Sequence, residues 1–448
     1  MDQLASVAQA RLIQARPQHY HFAREVEMNL LFLVSAYATH SVATGLNYPH
    51  GVAVGDMNND GRPDILVSAA YGNQVYWYEN SGFWTFTQHY VGPASYPLYL
   101  DAGDLDGDGD MDIVTGDYAY SGVYIFYNSG GGSSFTSQSL PTSGDVWEVD
   151  LGDIDADGDL DIATSTGGGV LWFRNDGAGV FTQLYVGSLS WPHGCRLFDS
   201  EGDGHLEIAS SHPFQVFKND GSDNFSLAYQ DATLQEAWGV GPMDINGDGY
   251  IDIAVNDYYG GATYIYWGNA LGGFTKQPVG LAGEPEGMDV GELNAQTGGD
   301  IAVGAASSWV LCYYYTGTGF MVDIVDNLYD ADLVVISDLN NDMCPDLVGS
   351  GPMGGLVTAY ENGNCPFQVE ETGGERGPSF SIFYTGAGPV ASLFECSGRL
   401  EIYDAAGRLV RSYPLEGQSQ RINLGGLEPG VYAAMVQGTE TRIFVVGK

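Results

Sequence analysis

The sequence predicts an all-β protein: a seven-bladed β-propeller followed by a small C-terminal Ig-like β-sandwich. Three observations predict the propeller. An acidic loop returns seven times at intervals of 45 to 49 residues, apolar runs of strand length flank each copy, and an aromatic run ending in an Asn-Gly type turn follows most copies. Four strand signals per unit at this period are typical of propeller blades.

The acidic loop is clearest in the stretch GDLDGDGDMDIVTGD, residues 103–117. Asp104, Asp106 and Asp108 place carboxylates at alternating positions, and Gly109 permits a tight turn. A hard cation such as Ca²⁺ takes about 6 to 8 oxygen ligands, which this spacing suits. An EF-hand is excluded because Thr115 stands at position 12, inside a β-branched run that predicts a strand.

The repeats also predict how each blade is built and how the ring closes. The seven loops begin at Asp56, Asp104, Asp153, Asp199, Asp244, Glu292 and Asp338. A fourth strand is predicted behind Phe86, Phe135, Phe181, Phe225, Phe274 and Phe320. The last unit has only three strands of its own, so we expect residues 38–45 to supply its fourth strand and to remove the exposed edge.

Charge limits the classes of partner. The chain has 57 acidic and 15 basic residues, a net charge of −42, and 25 of the acids lie in the seven loops. Acidity for solubility alone would scatter these residues. The repeats contain no basic patch, which disfavours nucleic acid as a partner.

The cysteines and the N-terminus leave alternatives open. Five cysteines fit no metal-ligand spacing; Cys344 and Cys365 are candidates to pair, and the odd total leaves a free thiol or an intermolecular bond. Residues 30–38 combine an apolar run with an A-x-A pattern, as in a signal peptide, and the alternative is a disordered leader before a strand. No run approaches the length of a membrane span.

The loops and strands of residues 37–365 resemble the FG-GAP or VCBS repeat family, which includes the integrin α-subunit head. The resemblance implies Ca²⁺ between strands one and two of a blade. Four loops match its pattern: Asp56, Asn58, Asp60 and Asp64; Asp104, Asp106, Asp108 and Asp112; Asp153, Asp155, Asp157 and Asp161; Asp244, Asn246, Asp248 and Asp252. The backbone carbonyls of Arg62, Asp110, Asp159 and Tyr250 would add one oxygen each.

Three loops depart from the family pattern. The fourth offers Asp199, Glu201, Asp203 and Glu207, whose longer glutamates predict weaker binding. The seventh keeps Asp338, Asn340, Asp342 and Asp346 but has Met343 at the turn. The sixth has only Glu292 and Asp300 as charges, and we expect it to bind no ion.

The tail from residue 378 is predicted as a second domain because strand-like segments alternate there with Gly and Pro turns. The segments YDAAGRLV, LEPGVY and TRIFVV resemble the C-terminal sorting domain of the bacterial type IX secretion system. That resemblance implies export and interaction with secretion machinery. The alternative is an ordinary β-sandwich appendage.

A ligand site is predicted where the loops leading into the innermost strands ring one mouth of the channel, opposite the acidic loops. The candidate ligand-binding residues are His50, Trp147, Glu148, His193, Trp238 and Glu286. Aromatic walls with a few polar anchors are typical of ligand sites. The alternative is that a loop-rich mouth in a chain with 12% aromatic residues gathers such side chains without a role.

The sequence therefore predicts a leader at residues 1–36, a propeller at 37–365, a linker at 366–377 and a sandwich at 378–448. We expect a secreted or surface-located, calcium-binding module that binds or adheres to glycan or protein ligands without catalysis. The alternative is a polysaccharide lyase or hydrolase in which His50 or His193 works with Glu148, Glu236 or Glu286. No catalytic motif demands that reading.

Overall fold

A computed structural model describes residues 37–363, apart from 121, 178, 190, 295–297 and 308, and seven strands between 379 and 446. The predicted leader and linker lie outside the described residues. Within residues 37–363, almost all regular structure is β-strand, and the helical segments are two single 3₁₀ turns, Ala70–Gly72 and Pro352–Gly354.

Seven four-stranded antiparallel sheets form the predicted blades. Blades one to three are β2–β5 (Pro49–Gly55, Asp64–Ala69, Gln74–Asn80, Phe86–Pro93), β6–β9 (Pro97–Gly103, Asp112–Asp117, Gly122–Asn128, Phe135–Pro141) and β10–β13 (Val146–Gly152, Asp161–Thr166, Gly169–Asn175, Phe181–Gly187). Blades four and five are β14–β17 (Cys195–Phe198, Glu207–Ser210, Phe214–Asn219, Phe225–Asp231) and β18–β21 (Ala237–Met243, Asp252–Asp257, Ala262–Gly268, Phe274–Leu281). Blade six is β22–β25 (Pro285–Gly291, Asp300–Ala305, Trp309–Tyr315, Phe320–Asp326), and blade seven contains β26–β28 (Val334–Ser337, Asp346–Gly351, Leu356–Asn362). All six predicted fourth strands begin at the expected phenylalanines.

The fourth strand of blade seven comes from the other end of the propeller, as predicted. β1 (Tyr37–Thr44) pairs antiparallel with β28, from Tyr37 opposite Asn362 to Thr44 opposite Leu356. His40 Nε2 also lies 2.9 Å from Glu361 Oε2 across this pair. The closed ring leaves no unpaired strand at the junction between its first and last blades.

Burial differs along each blade because neighbouring blades cover its two faces. The second strands, such as β3 and β7, are buried at every position, whereas the outer strand β13 alternates between covered and exposed residues. The largest fully buried side chains are third-strand aromatics, including Trp77 and Trp172. They pack between adjacent blades, so the core is a series of interfaces between sheets.

The antiparallel order places two sets of loops at opposite ends of the blades. The loops leading into the first strands, and those joining second to third strands, lie at one end, which we call the top mouth. The acidic loops joining first to second strands lie at the other end, the bottom face. The candidate ligand residues and the candidate metal ligands are therefore on different faces.

The tail forms two antiparallel sheets. One contains β29 (Ser379–Thr385), β30 (Gly388–Phe394) and β33 (Gln420–Asn423), and the other contains β31 (Ser397–Asp404), β32 (Leu409–Glu416), β34 (Gly430–Val436) and β35 (Arg442–Val446). The strand-rich tail was predicted. Its packing as an Ig-like sandwich remains a prediction.

Two of the described cysteines, Cys195 and Cys312, are buried free thiols. Cys344 is disulfide-bonded, and its predicted partner Cys365 lies outside the described residues. Within the described part of the chain, we find no helix with the length and apolar character needed to cross a membrane.

Candidate functional site

The bottom-face loops share one hydrogen-bonding pattern. In loop two, Asp104 Oδ2 accepts the Gly109 backbone N–H at 2.9 Å, and Asp108 Oδ1 accepts the Asp110 N–H at 2.9 Å. The same two bonds occur in the loops that begin at Asp56, Asp153, Asp199, Asp244 and Asp338. The chain thus folds these loops around their own carboxylates.

The last acid of each loop is buried and pins the loop to the blade. Asp112 Oδ2 accepts the Leu105 N–H at 2.9 Å, and Asp112 Oδ1 accepts the Asn128 N–H at 2.8 Å. Burial raises the pKa of Asp112 to about 6. Burial likewise raises the pKa of Asp64 and Asp161 to about 7, of Asp252 and Asp300 to about 6, and of Asp346 to about 8. Removing these carboxylates from water penalises their charge, which a bound cation would offset.

Among the described residues, loops two and three each bring three carboxylates together. One oxygen from each of Asp104, Asp106 and Asp108 lies within 4.8 Å of the others, and the same holds for Asp153, Asp155 and Asp161. Asp155 Oδ1 is buried and has no hydrogen-bond partner. An unpartnered buried carboxylate oxygen beside two others is a donor set that fits Ca²⁺.

The remaining loops differ in their local counter-charges. The Arg62 guanidinium contacts Asp60, and Lys218 Nζ contacts Glu201. In loop seven, Met343 adopts the left-handed φ of 71° that glycine takes at this position in loops such as that of Gly109. Part of loop six, residues 295–297, is outside the description, so its predicted lack of an ion stays a prediction.

The top mouth carries a continuous series of ring contacts across blades one to five, which we call the aromatic arc. Successive ring centroids lie 4.2 to 5.3 Å apart. Its members, in order, are Tyr48, Tyr71, Tyr96, Tyr118, Trp147, His193, Trp238 and Tyr258. Such contacts hold the rings in defined positions around the channel opening.

Four acids occupy the mouth at blades six and seven, and we call them the acidic gap: Glu284, Glu286, Asp330 and Asp332. The gap adjoins both ends of the arc. Asp332 and Asp330 contribute, after burial, to the raised pKa of Tyr48, and Glu286 and Glu284 do the same for Tyr258. Burial, and next the neighbouring Asp332, raises the pKa of Glu286 to about 11, so its carboxyl is protonated at neutral pH.

His50 joins the acidic gap to the channel wall. Its Nε2 lies 3.1 Å from Asp332 Oδ2, and the Tyr99 hydroxyl donates to Asp332 Oδ1 at 3.2 Å. The Ser350 hydroxyl of blade seven donates to the His50 carbonyl at 2.7 Å. Blades one, two and seven therefore meet in one hydrogen-bonded group.

A narrow cavity, open to solvent, lies beside the arc at the channel mouth. His50, Trp147, Glu148, His193 and Trp238 line it, together with Tyr99, Arg196, Gly239, Val240, Gly287, Met288 and Leu333. Five of the six predicted ligand residues thus lie on one cavity. The sixth, Glu286, hydrogen-bonds to Asp332 beside it. Their role in binding stays a prediction.

Arg196 supplies the positive charge of the cavity floor. Its guanidinium contacts Glu148, and Nη1 lies 3.8 Å from Asp150 Oδ1. The charges of Asp289 and Asp101 also raise the pKa of Arg196. Glu148 and Asp150 also accept hydrogen bonds from the backbone. Glu148 Oε2 accepts the Cys195 N–H at 2.7 Å, and Asp150 Oδ2 accepts the Leu197 N–H at 2.6 Å.

The acid–base pairs considered from the sequence do not form among the described residues. The carboxylate beside His50 is Asp332, Glu148 is bonded to Arg196, and Glu236 Oε1 accepts the Trp238 indole N–H at 3.1 Å. Burial, followed by the charge of His212, lowers the pKa of His193 to about 3. His193 is therefore neutral at physiological pH.

Sequence reasoning missed the roles of Asp332, Tyr99 and Arg196. The signal for Arg196 was its register: it stands three residues before the first acid of its loop, as Asp101, Asp150 and Asp289 do in theirs. Equivalent positions on innermost strands share one level of the channel, so an Arg among three Asp predicts an ionic ring. Asp332 left no comparable signal.

Part of the propeller also matches a known family. Residues 56–115 and 104–164 match the model of an FG-GAP-like repeat. Residues 56–164 are thus similar to FG-GAP-like repeats. These matches cover the acidic loops of blades one to three and, with the seven observed blades, support the repeat and propeller family. No curated protein matches the sequence significantly.

Solved structures share the fold. A crystal structure of BBS1N in complex with ARL6DN, soaked with mercury, has a TM-score of 0.54 at 13% identity, covering 74% of this chain and 98% of that chain. The lead-soaked crystal of the same complex has a TM-score of 0.55 at 12% identity, with the same coverage of 74% and 98%. An Agrocybe aegerita lectin, described as recognising non-reducing terminal N-acetylglucosamine, has a TM-score of 0.47 at 19% identity over 71% of this chain and 87% of its own. At these identities, the two BBS1N structures show only a shared fold.

Proposed function

We propose that this protein is an exported, calcium-stabilised propeller that binds a glycan or protein ligand at its top mouth without transforming it. The observation that carries the ligand site is the convergence of five predicted residues on one cavity beside the aromatic arc. A pocket with aromatic walls and few polar groups is a typical ligand site. BBS1N was crystallised with a protein, ARL6DN, so a propeller of this fold is compatible with a protein ligand.

The polar groups of the mouth favour binding over catalysis. A general base needs a pKa near the working pH and reach to a substrate proton. His193, with a pKa of about 3, and Glu286, with a pKa of about 11, are both far from that range. Glu148 is engaged with Arg196 and the Cys195 N–H. These groups are suited to fixed recognition.

The proposed calcium sites are the bottom-face loops, with loops two and three the strongest. Three carboxylate oxygens within 4.8 Å repel one another unless a cation lies between them. Bound Ca²⁺ would supply that charge, while the loops orient the oxygens through their own backbone N–H groups. The seventh loop keeps the ligand types, and the fourth is weaker because Lys218 already contacts Glu201.

Export and surface location rest on the resemblance of the tail to a type IX sorting domain, and we propose them on that basis. The two sheets of residues 379–446 are compatible with such a domain. Expression with and without residues 378–448 in a bacterium that has this secretion system tests the proposal. Both forms reaching the medium equally would refute a sorting role.

The calcium proposal is tested by comparing two aspartates of one loop. Asp106→Asn removes a proposed ligand, whereas Asp110→Asn removes the same charge from a residue proposed to bind only through its carbonyl. We expect calcium to raise the melting temperature of the wild type and of D110N, with a smaller rise for D106N. Saturating a site at a hundredfold excess over its dissociation constant stabilises by about 2.7 kcal/mol. A melting temperature unchanged by a chelator refutes calcium stabilisation.

The ligand site is tested on glycan and protein arrays with Trp238→Ala. The control is Tyr185→Ala, an aromatic 60% exposed on the outer strand of blade three. We expect W238A to weaken binding at least tenfold, as loss of a central aromatic anchor does, and Y185A to leave it unchanged. Equal binding by W238A and Y185A would refute the proposal that the top mouth is the ligand site. If the wild type forms product from a bound glycan and a correctly folded His193→Ala variant does not, the enzyme alternative would be favoured over the binding module.

A further inference from the structure

We propose that the top mouth recognises an oligosaccharide carrying free, protonated amino groups. This inference rests on the proposed ligand site and names the class of ligand that fits it. The relevant observations are the charge of the mouth, two unpartnered buried imidazoles, and the aromatic arc.

The charge at the mouth is negative and lacks mobile counter-charges. Glu284 is exposed and adjoins Glu286 and Asp330, and Asp332 lies beside both. Of the basic side chains described in the propeller, Arg62, Arg174, Lys218 and Lys276 contact acids elsewhere. Arg196 lines the cavity and contacts Glu148. A cationic ligand would supply the charge that the acidic gap lacks.

Two imidazoles in the cavity wall each have a buried ring nitrogen without a hydrogen-bond partner. His50 is 8% exposed and His193 7% exposed, and Nδ1 of each has no hydrogen-bond partner. Because His50 Nε2 faces the Asp332 carboxylate, that nitrogen carries the proton and Nδ1 presents a lone pair. Burial lowers the pKa of both rings, to about 3 for His193, and for His50 the charge of Asp332 acts in the opposite direction. Neutral imidazole acceptors are satisfied by N–H or O–H donors, which an amino sugar provides.

The aromatic arc favours a sugar as the carrier of the amine. Tyr71 of the arc is 54% exposed, and Tyr259, whose ring centroid lies 5.0 Å from that of Tyr258 in the arc, is 64% exposed. A tyrosine ring combines apolar faces with a polar tip. Cations are also attracted to such faces. The top mouth consists of loops and strand ends, whereas extended peptides typically dock along a sheet edge and helical ones in an apolar groove. An oligosaccharide needs neither surface.

The same features discriminate against related glycans. A uronic acid would add a carboxylate to the acidic gap and be repelled. An N-acetylated sugar carries no charge and would leave the gap uncompensated. The mouth is therefore expected to separate free amino sugars from their acetylated and acidic counterparts.

Calorimetric titration of the full chain with three oligosaccharides of equal length tests the inference: glucosamine, N-acetylglucosamine and glucuronic acid oligomers. A lysine oligomer serves as the peptide arm. The variant Glu284→Gln removes one exposed charge of the gap, and Asp220→Asn removes one from a turn on the bottom face. We expect the glucosamine oligomer to bind at least tenfold more tightly than the others. E284Q should weaken this binding about fivefold and D220N should not.

Each other outcome overturns the inference. Equal or tighter binding of the acetylated oligomer refutes recognition of the charge, while a loss in W238A would still uphold the proposed ligand site. Binding of the lysine oligomer alone, weakened by E284Q, would assign the mouth to a cationic peptide. Binding unaffected by both E284Q and W238A refutes the top mouth as the ligand site.

Discussion

Replacing Arg196 by methionine tests the ionic ring that underlies the cavity. The Arg196 side chain is 25% exposed and the Glu148 side chain 7% exposed. Methionine preserves much of the apolar stem but removes the positive charge. The variant leaves Glu148 and Asp150 close together with no basic side chain beside them.

The expected loss follows from the degree of burial. Removing one partner of a buried ion pair costs about 3 to 5 kcal/mol because the other charge is left uncompensated. The partial exposure of Arg196 places the expectation at the lower end, about 3 kcal/mol. At about 2 °C per kcal/mol for a domain of this size, the melting temperature should fall by roughly 6 °C.

The loss should also depend on pH. Burial raises the pKa of Asp150 to about 8, and burial also raises the pKa of Glu148. For an acid whose folded pKa exceeds its unfolded value, stability is lost as pH rises from the unfolded pKa through the folded one. Without Arg196 these carboxyls take up protons more readily, so the variant should lose more stability at pH 8 than at pH 5.

Calorimetric melting of wild type, Arg196→Met and Arg196→Lys at pH 5 and pH 8 measures this effect. The lysine variant retains the positive charge, so at pH 8 it should lose less than half of the free energy of unfolding that R196M loses. Equal losses for R196M at both pH values would attribute the effect to packing. An unchanged melting temperature at pH 8 would mean that channel water solvates the carboxylates, and the ionic ring would be refuted.

Two further predictions concern a methionine at a turn where other acidic loops have glycine, and a glycine at a close contact between inner strands. With chelator present, Met343→Gly should stabilise the protein by about 0.5 to 1 kcal/mol, because Met343 holds a left-handed φ of 71° that glycine adopts freely. The control Met353→Gly, at an exposed position without positive φ, should not stabilise the protein. Equal shifts in melting temperature for both variants would refute backbone strain at Met343. Gly51→Ala should destabilise by about 3 kcal/mol, because its Cβ would lie 2.4 Å from the Leu98 carbonyl oxygen of blade two. Gly319→Ala, with no atom within 4 Å of its Cβ, should be neutral in denaturant unfolding, and a similar loss in both variants would contradict tight contact between inner strands.

The blade structure could be predicted because each unit repeats the same sequence pattern of four strands and one acidic loop. Fourth strands begin at the predicted phenylalanines, and β1 completes blade seven. The acidic loops were recognisable because neighbouring residues supply their bonds, as between Asp104 and the Gly109 N–H. Calcium occupancy, export and the sandwich packing of the tail remain predictions.

The mouth could be predicted only in outline. Its aromatic and acidic residue types are evident in the loops, and the topology places them at one end. The partner of His50 was not predictable, since Asp332 lies almost the whole ring away in sequence. The same holds for Tyr99, which reaches Asp332 from blade two.

The amino-acid sequence by itself determined the repeat, the number of blades, the acidic loops and the closing strand. The repeat and the acidic loops follow from patterns within about fifty residues, where backbone hydrogen bonding and strand alternation act locally. Counting the repeats gives the number of blades and the one strand that the last unit lacks. Tertiary structure alone decided which side chains meet in the channel. Circular closure brings the first and last blades together, so His50 meets Asp332 and Arg196 lies near acids of three other inner strands. Burial there sets the pKa of each group, and no local pattern encodes that burial.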